Sequence, residues 1–523
     1  MTVAGSVIYQ PSVSISLLSA DQALANSPQR VLLVGQKTSA GSAASGSWVR
    51  DIGNANEEIA LFGRDSMLAE MVRTFKRYAP QVALDAICLV DASSGGQAAR
   101  VVGIDIQGTA TAQGTLVFRV SSDRRKFTLN VASGEAAATT LANAATLLNA
   151  DPELPYNVTV VTTVLTFTAI NIGTIANGLG IEIEGSVAGL TIGAVTQSVA
   201  GAVDPTLTNV FDVVGTTRYQ GVVWPYADAT DEVTAFLDAR WNVTDQVLDG
   251  VAFTAKADTY ANLVTLVVTS DKNSLARVTI RDEIESETAY KGPAALEPPY
   301  VKATAAAAVR AIRLTPDAPI SRFLTTTRPL DQYGGPHLAS LPYFNTLLPD
   351  LAVPRAGRGF TRDEIESLKA LGGTIFGQNV AGTGLIMGEV VTTYLTNPSG
   401  AADVTWHYLN LVDTMSVARE YFQTNLRAIF AQSRLTEGTP IAGHDMANAD
   451  TIRGAMKKLY NDLSGRGFVL LQGGEEAIQF FDDNLDVTLD LSQGKATVAC
   501  KALVVVQLRT FVITMKVAFS TAG

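Results

Sequence analysis

The sequence predicts an α/β fold of several domains, in which a β-rich domain interrupts an α/β core and both chain ends are extended strands. Three observations carry this. The apolar run RVLLVG (30–35), a helical pattern over 54–80 and a second apolar run ALDAICLVDA (83–92) read in order as strand, helix and strand. From 101 to 203 that alternation gives way to short Thr/Val/Ile-rich runs punctuated by glycine. Both termini alternate apolar and polar side chains with period two, the pattern of a strand with one buried face.

At the N-terminus Val7, Tyr9, Val13, Ile15 and Leu17 alternate with Gln10, Ser12, Ser14 and Ser16. Pro11 donates no backbone hydrogen bond, which suits a strand with one free side. In the helix, Met67, Met71 and Phe75 recur at i, i+4 and i+8, and Leu68 and Val72 widen the stripe that packs on a sheet. Pro80 stops it. The runs GTLVFRV, KFTLNV, NVTVVTTVLTFTAI and GIEIEGSV, with the helical AATTLANAATLLNA, make up the β-rich insert. From 204 to 350, YQGVVWPY, EVTAFLDARW, GVAFTA, YANLVTLVV, RVTIRDE and VKATAAAAVRAIRL alternate strand and helix patterns, which predicts a parallel sheet flanked by helices.

A proline-rich stretch (329–359) precedes a last domain that opens on FTRDEIESLKALGG, where Thr361 with Glu364 forms a capping box. Helices are expected at 411–431 and 449–464, then a β-rich ending in which Leu508 leads to Phe511, Ile513, Met515, Val517 and Phe519 on one face. The expected division is 1–20, an N-terminal arm; 21–100, first part of the core; 101–203, the insert; 204–350, an α/β middle; 351–502, a C-terminal core domain; and 503–523, a C-terminal arm. A long apolar terminal strand with no turn to fold it back aggregates unless something covers its edges.

Composition narrows the function. A length of 523 residues suits roughly three domains. The net charge of −11 opposes non-specific binding to nucleic acid or anionic membrane. The first residues lack a basic n-region and an unbroken apolar core, so no secretory signal is expected there. Cys88 and Cys500 are too few for a disulfide framework or zinc site; both are expected as small buried hydrophobes in a protein maturing in a reducing cytoplasm. His337, His407 and His444 fall in no metal-binding spacing. The loop VLLVGQKTSAGSAASG places Gln36 before Lys37 where a phosphate-binding loop needs glycine, and DDNLDVTLD (482–490) lacks the glycine and closing glutamate of a calcium loop. No catalytic, cofactor or metal site is therefore expected, and the chain is read as no enzyme. The helix at 448–467 is the exception to the acidic surface. Arg453, Lys457 and Lys458 stand beside or opposite its apolar stripe of Ile452, Met456, Leu459 and Leu463, either as a solvated face or as a basic docking face.

Five stretches in order resemble the contractile tail sheath proteins of myophages, particularly the Mu-like group. They are FGRDSMLAEMVRTFKRYAP (62–80) with LDAICLVDA; ATTLANAATLLNADPELPYNVTV with NIGTIANGLGIEIE; FTRDEIESLKALGG (360–373); MGEVVTTYLTNPSGAADVTWHYLNLVDTM (387–415); and GRGFV (465–469).

The resemblance implies a virion structural protein that stacks as hexameric rings, helically, around a tail tube and contracts without consuming nucleotide, driving the tube through the host envelope during genome ejection. It implies these partners: other copies of the chain, the tube protein, the baseplate, and the terminator or neck proteins. Neither nucleic acid nor membrane is contacted, and assembly takes place in the host bacterial cytoplasm. It also implies that terminal arms of neighbouring subunits add strands to a small sheet in a third, which would cover the apolar terminal strand by β-augmentation. On that reading the C-terminal domain faces the tube, the insert faces outward, and Arg453, Lys457 and Lys458 are candidates for tube docking. Two alternatives stay open: a sheath from a phage-derived particle such as a tailocin or an injection or secretion system, and an α/β ligand-binding protein or enzyme whose arms only dimerise it.

Overall fold

The computed structural model describes residues 29–505 apart from 54–55, 94, 123, 244–245, 270–272, 285–295, 315–342, 355–358, 380, 383, 442–443 and 465–468. All eleven arm residues, Val7, Tyr9, Val13, Ile15, Leu17, Leu508, Phe511, Ile513, Met515, Val517 and Phe519, lie outside the described residues, as do 329–342 and 355–358 of the proline-rich stretch.

In chain order the first elements are β1 (Arg30–Gln36), β2 (Trp48–Val49), α1 (Glu57–Phe62), α2 (Met67–Tyr78) and β3 (Ala83–Leu89). The single helix expected over 54–80 is two. Gly63 at φ 86° ends α1 with Thr38 packed so close that a Cβ would meet its hydroxyl at 2.0 Å. Ser66 then starts α2 afresh, its Oγ accepting from Ala69 N at 3.1 Å. Met67, Leu68, Met71, Val72 and Phe75 are all buried, as their spacing requires.

The insert follows as β4 (Val101–Gly108), β5 (Gly114–Val120), β6 (Lys126–Val131), α3 (Ala137–Asn149), β7 (Tyr156–Val161), β8 (Val164–Ala169), β9 (Ile181–Glu184), β10 (Leu190–Ile192) and β11 (Thr196–Val199). One antiparallel sheet has the order β10-β4-β8-β7 with β11 also on β4; a second has β6-β5-β9. The run NVTVVTTVLTFTAI is thus a hairpin, turning at Thr162 with φ 57°. Its edge strand is guarded: the Asn149 amide accepts from Val158 N at 3.0 Å and donates to Val158 O at 2.7 Å, mimicking a neighbouring strand.

Beyond the insert come β12 (Gly221–Val223), α4 (Asp231–Trp241), β13 (Val251–Asp258), α5 (Tyr260–Thr269), β14 (Arg277–Glu283), α6 (Pro299–Leu314), β15 (Leu347–Leu348), α7 (Arg362–Ala370), β16 (Gly373–Thr374), β17 (Phe376–Gln378) and β18 (Leu385–Met387). The capping box at Thr361 and Glu364 is present. Strands from both sides of the insert form one seven-stranded sheet, β16-β14-β13-β12-β1-β3-β2, parallel except where β2 meets β3. Alternation splits β1 between two cores: Val31 and Leu33 face α2 and α6, while Leu32 and Val34 face Phe211, Trp224 and Leu237.

Charges tie insert to core. Glu70 of α2 is buried, accepts from Arg125 at 2.8 Å and from Tyr300 Oη at 2.7 Å. Burial alone would push its carboxyl up; the Arg125 charge and the Tyr300 hydroxyl outweigh it and hold the carboxyl below its ordinary value near 4.5. A depressed carboxylate stabilises the fold above its unfolded value and loses that contribution as pH falls through its folded one. Wild type is therefore expected to lose stability below about pH 4.5 more steeply than Glu70→Gln, as urea midpoints across pH 3–7 would report.

Candidate assembly interface

The C-terminal part contains α8 (Leu409–Phe430), β19 (Arg434–Leu435), β20 (Met446–Ala447), α9 (Ala449–Ser464), α10 (Glu475–Asp483), β21 (Asp486–Asp490) and β22 (Lys495–Ala499). Helix α8 runs through two cores. Leu409 and Val412 belong to the core of the large sheet, whereas Val417, Ala418 and Tyr421 belong to a second core with α9 and α10. Polar contacts lock the crossing. Arg310 of α6 reaches Asp413 Oδ1 through Nε at 2.8 Å and Nη2 at 2.7 Å, and Tyr343 Oη donates to Oδ2 at 2.5 Å. Arg218 pairs with Glu420 at 2.8 Å, and Arg419 donates to the carbonyls of Trp241 and Val243. Helix α8 thus joins the two cores.

Strands β21 and β22 form a hairpin in register from Asp486↔Ala499 to Asp490↔Lys495. Asp490 closes its turn, accepting from Ser492 Oγ at 2.6 Å and from the backbone of Ser492 and Gln493; the Ser492 hydroxyl chiefly holds its carboxyl below the usual range. Val487, Leu489, Ala496 and Val498 turn inward onto the second core, where Tyr460 and Phe481 stack at 4.3 Å. Asp486, Thr488, Asp490, Lys495, Thr497 and Ala499 face outward and are exposed. Among the described residues neither outer edge pairs with a further strand. Unlike β7, no side chain caps these edges by a hydrogen bond among those residues. The hairpin is a two-stranded template that can accept strands on both sides.

After the hairpin the chain runs back beside 470–472: Gln472 N donates to Leu503 O and Val505 N to Leu470 O, both at 2.9 Å. Val504 and Val505 are exposed where the described residues end. Cys88 is buried, and burial pushes its thiol up to about 11, whereas Cys500, expected inside, is exposed just past the end of β22. Its neighbours alternate, and it follows outward-facing Ala499 beyond the last paired position.

The three basic residues of α9 divide. Lys457 Nζ meets Asp482 Oδ2 at 2.7 Å, and Arg453 Nη2 donates to Leu485 O at 2.5 Å and lies 3.8 Å from Asp482. Both clamp α9 onto α10. Lys458 is exposed. Helix α10 was not foreseen, since a β-rich ending was expected directly after the helix at 449–464; the apolar Ile478 and Phe481 at i and i+3 were its signal. Lys37, the lysine of the glycine-rich loop, donates to Thr38 O and Gly41 O of its own loop. Among the described residues no group of three or more His, Cys, Asp and Glu converges as a metal site, and no helix is long and apolar enough to cross a membrane.

The described residues thus form an α/β core with a β-rich insert and a C-terminal hairpin whose outer edges are unpaired among them. The chain is 28% identical over 450 residues to the Mu-like prophage FluMu tail sheath protein of Haemophilus influenzae, covering 84% of each chain. The chain is therefore a relative of the Mu-like tail sheath proteins. No family model matches the sequence. Among solved structures it is similar to the sheath tail protein Lin1278 from Listeria innocua, with a TM-score of 0.44, 11% identity and coverage of 92% and 93% of the two chains. It is also similar to the helical sheath of the anti-feeding prophage in its contracted state, with a TM-score of 0.44, 12% identity and 94% of each chain covered.

Proposed function

We propose that this chain is the structural subunit of a contractile phage tail sheath. It stacks as hexameric rings around the tail tube, anchored to baseplate and neck, and its contraction drives the tube through the host envelope. The observation that carries the reading is the sequence relation to a tail sheath protein over 84% of the chain. The open hairpin, followed in the sequence by a segment of alternating apolar residues, supports it: on this reading each subunit offers a strand and a place to receive one. Such heterologous contacts build open helical lattices. The arms tether neighbours while contacts between rigid bodies break and reform, and a few hundred Å² of extra apolar burial per subunit would release several kcal/mol, at roughly 25 cal/mol per Å².

Helical reconstruction of both lattices tests this. Stacked six-membered rings with more area buried per subunit after contraction are expected; a loss of buried area on contraction would contradict the energy source. Lys458 is the basic residue of α9 through which the tube contact is best tested. Reversing Arg453 or Lys457 would break contacts to α10 as well, whereas Lys458→Glu leaves them intact. Empty Lys458→Glu polymers should form normally while decoration of tubes is lost. Undiminished decoration in electron micrographs would remove α9 from the tube face.

A further inference from the structure

Between α2 and the turn that joins β5 to β6 lies a cleft of about 430 Å³, in the size range of small-ligand sites. Five cations line it in a chain whose net charge is −11: Arg73 and Arg77 from α2, Arg124 and Arg125 from the turn, and Lys126 from the start of β6. Its carboxylates are already engaged. Glu70 holds Arg125 and Tyr300; Glu153 lies 3.7 Å from both Arg64 and Arg73; Asp151 accepts from Glu153 N; and Glu297 accepts from Ala352 N.

Arg77, Arg124 and Lys126 are left over. Among the described residues Arg124 meets only Asp350, at 3.9 Å, with both side chains half exposed, a contact of little energy. Among the described residues Arg77 and Lys126 have no hydrogen-bonded or ion-paired partner, whereas Arg73 is held by Glu58, Glu153 and the carbonyl of Arg64. Burial, and then repulsion from Arg124, weaken the hold of Arg77 on its proton. Like charges gathered at a half-buried cleft are relieved by an anion that bridges them, and guanidinium groups match the paired oxygens of phosphate.

We propose that this cleft is an anion site that takes a multivalent oxyanion of the phosphate type, held by Arg77, Arg124 and Lys126. The claim is independent of assembly, because all of these residues come from one subunit.

Isothermal titration of the full-length chain with sodium tripolyphosphate, at ionic strength held constant with sodium chloride, tests it. Saturable binding is expected, tighter than for inorganic phosphate because the longer anion spans more cations. Arg124→Gln with Lys126→Gln, both exposed and so compatible with folding, should weaken it by about tenfold or more, as should Arg77→Gln. Lys458→Gln, which removes a cation elsewhere, should bind like wild type. Absence of saturable binding, or equal binding by wild type and the Arg124/Lys126 variant, would overturn the proposal.

Discussion

Replacing Asp413 by alanine is expected to lower the stability of the folded chain by about 3–5 kcal/mol. Asp413 has no exposed side-chain surface, and Arg310, bonded to it through two nitrogens, has only 3%. The substitution leaves Arg310 charged and buried beside Gln220 O, and leaves Tyr343 Oη without its acceptor. The cost comes from the stranded partner more than from the lost pair. Arg310→Met with Asp413→Leu should therefore recover most of it. Urea unfolding of the single and double variants decides the matter. A loss below about 1 kcal/mol in the single variant would show that the crossing of α8 is not locked by this pair.

Deleting residues 506–523 is expected to abolish polymerisation while leaving the subunit folded. The cut keeps the bonds from Leu503 O and Val505 N to 470–472, so the second core is undisturbed. What is lost is a run in which Phe511, Ile513, Met515, Val517 and Phe519 alternate with other residues, the period expected of a strand with one apolar face. A strand of this length added to β21 or β22 would contribute roughly 0.5–1.5 kcal/mol per main-chain hydrogen bond and about 1.5–3 kcal/mol per fully buried large apolar side chain. Repeated at every subunit, these links act together, so their removal is felt as loss of the whole lattice and not as a graded weakening.

Much of this organisation is legible in the sequence because period and burial coincide. The strand at 30–35 appears as Arg30–Gln36, the stripe of α2 is buried, and helices expected at 411–431 and 449–464 appear at Leu409–Phe430 and Ala449–Ser464. The misses have local causes. At 62–66 the apolar periodicity continues across a break made by Gly63 and Ser66, so the pattern hides two helices. In NVTVVTTVLTFTAI, threonine occupies strand and turn positions alike, and Thr162 adopts the left-handed conformation without a glycine to mark it. The pairing of Lys457 and Arg453 with the α10 end depends on tertiary contact between residues 25 or more positions apart, which no spacing rule records. The hairpin was readable as alternation in DVTLD and KATVA, but the openness of its edges is a property of the folded sheet.

Negative-stain electron microscopy of the purified full-length chain beside the chain lacking 506–523 tests the central claim, that subunits are linked through the C-terminal arm. Long hollow tubes from the first and discrete particles of subunit size from the second are the predicted result. Tubes of equal length and abundance from both would contradict it.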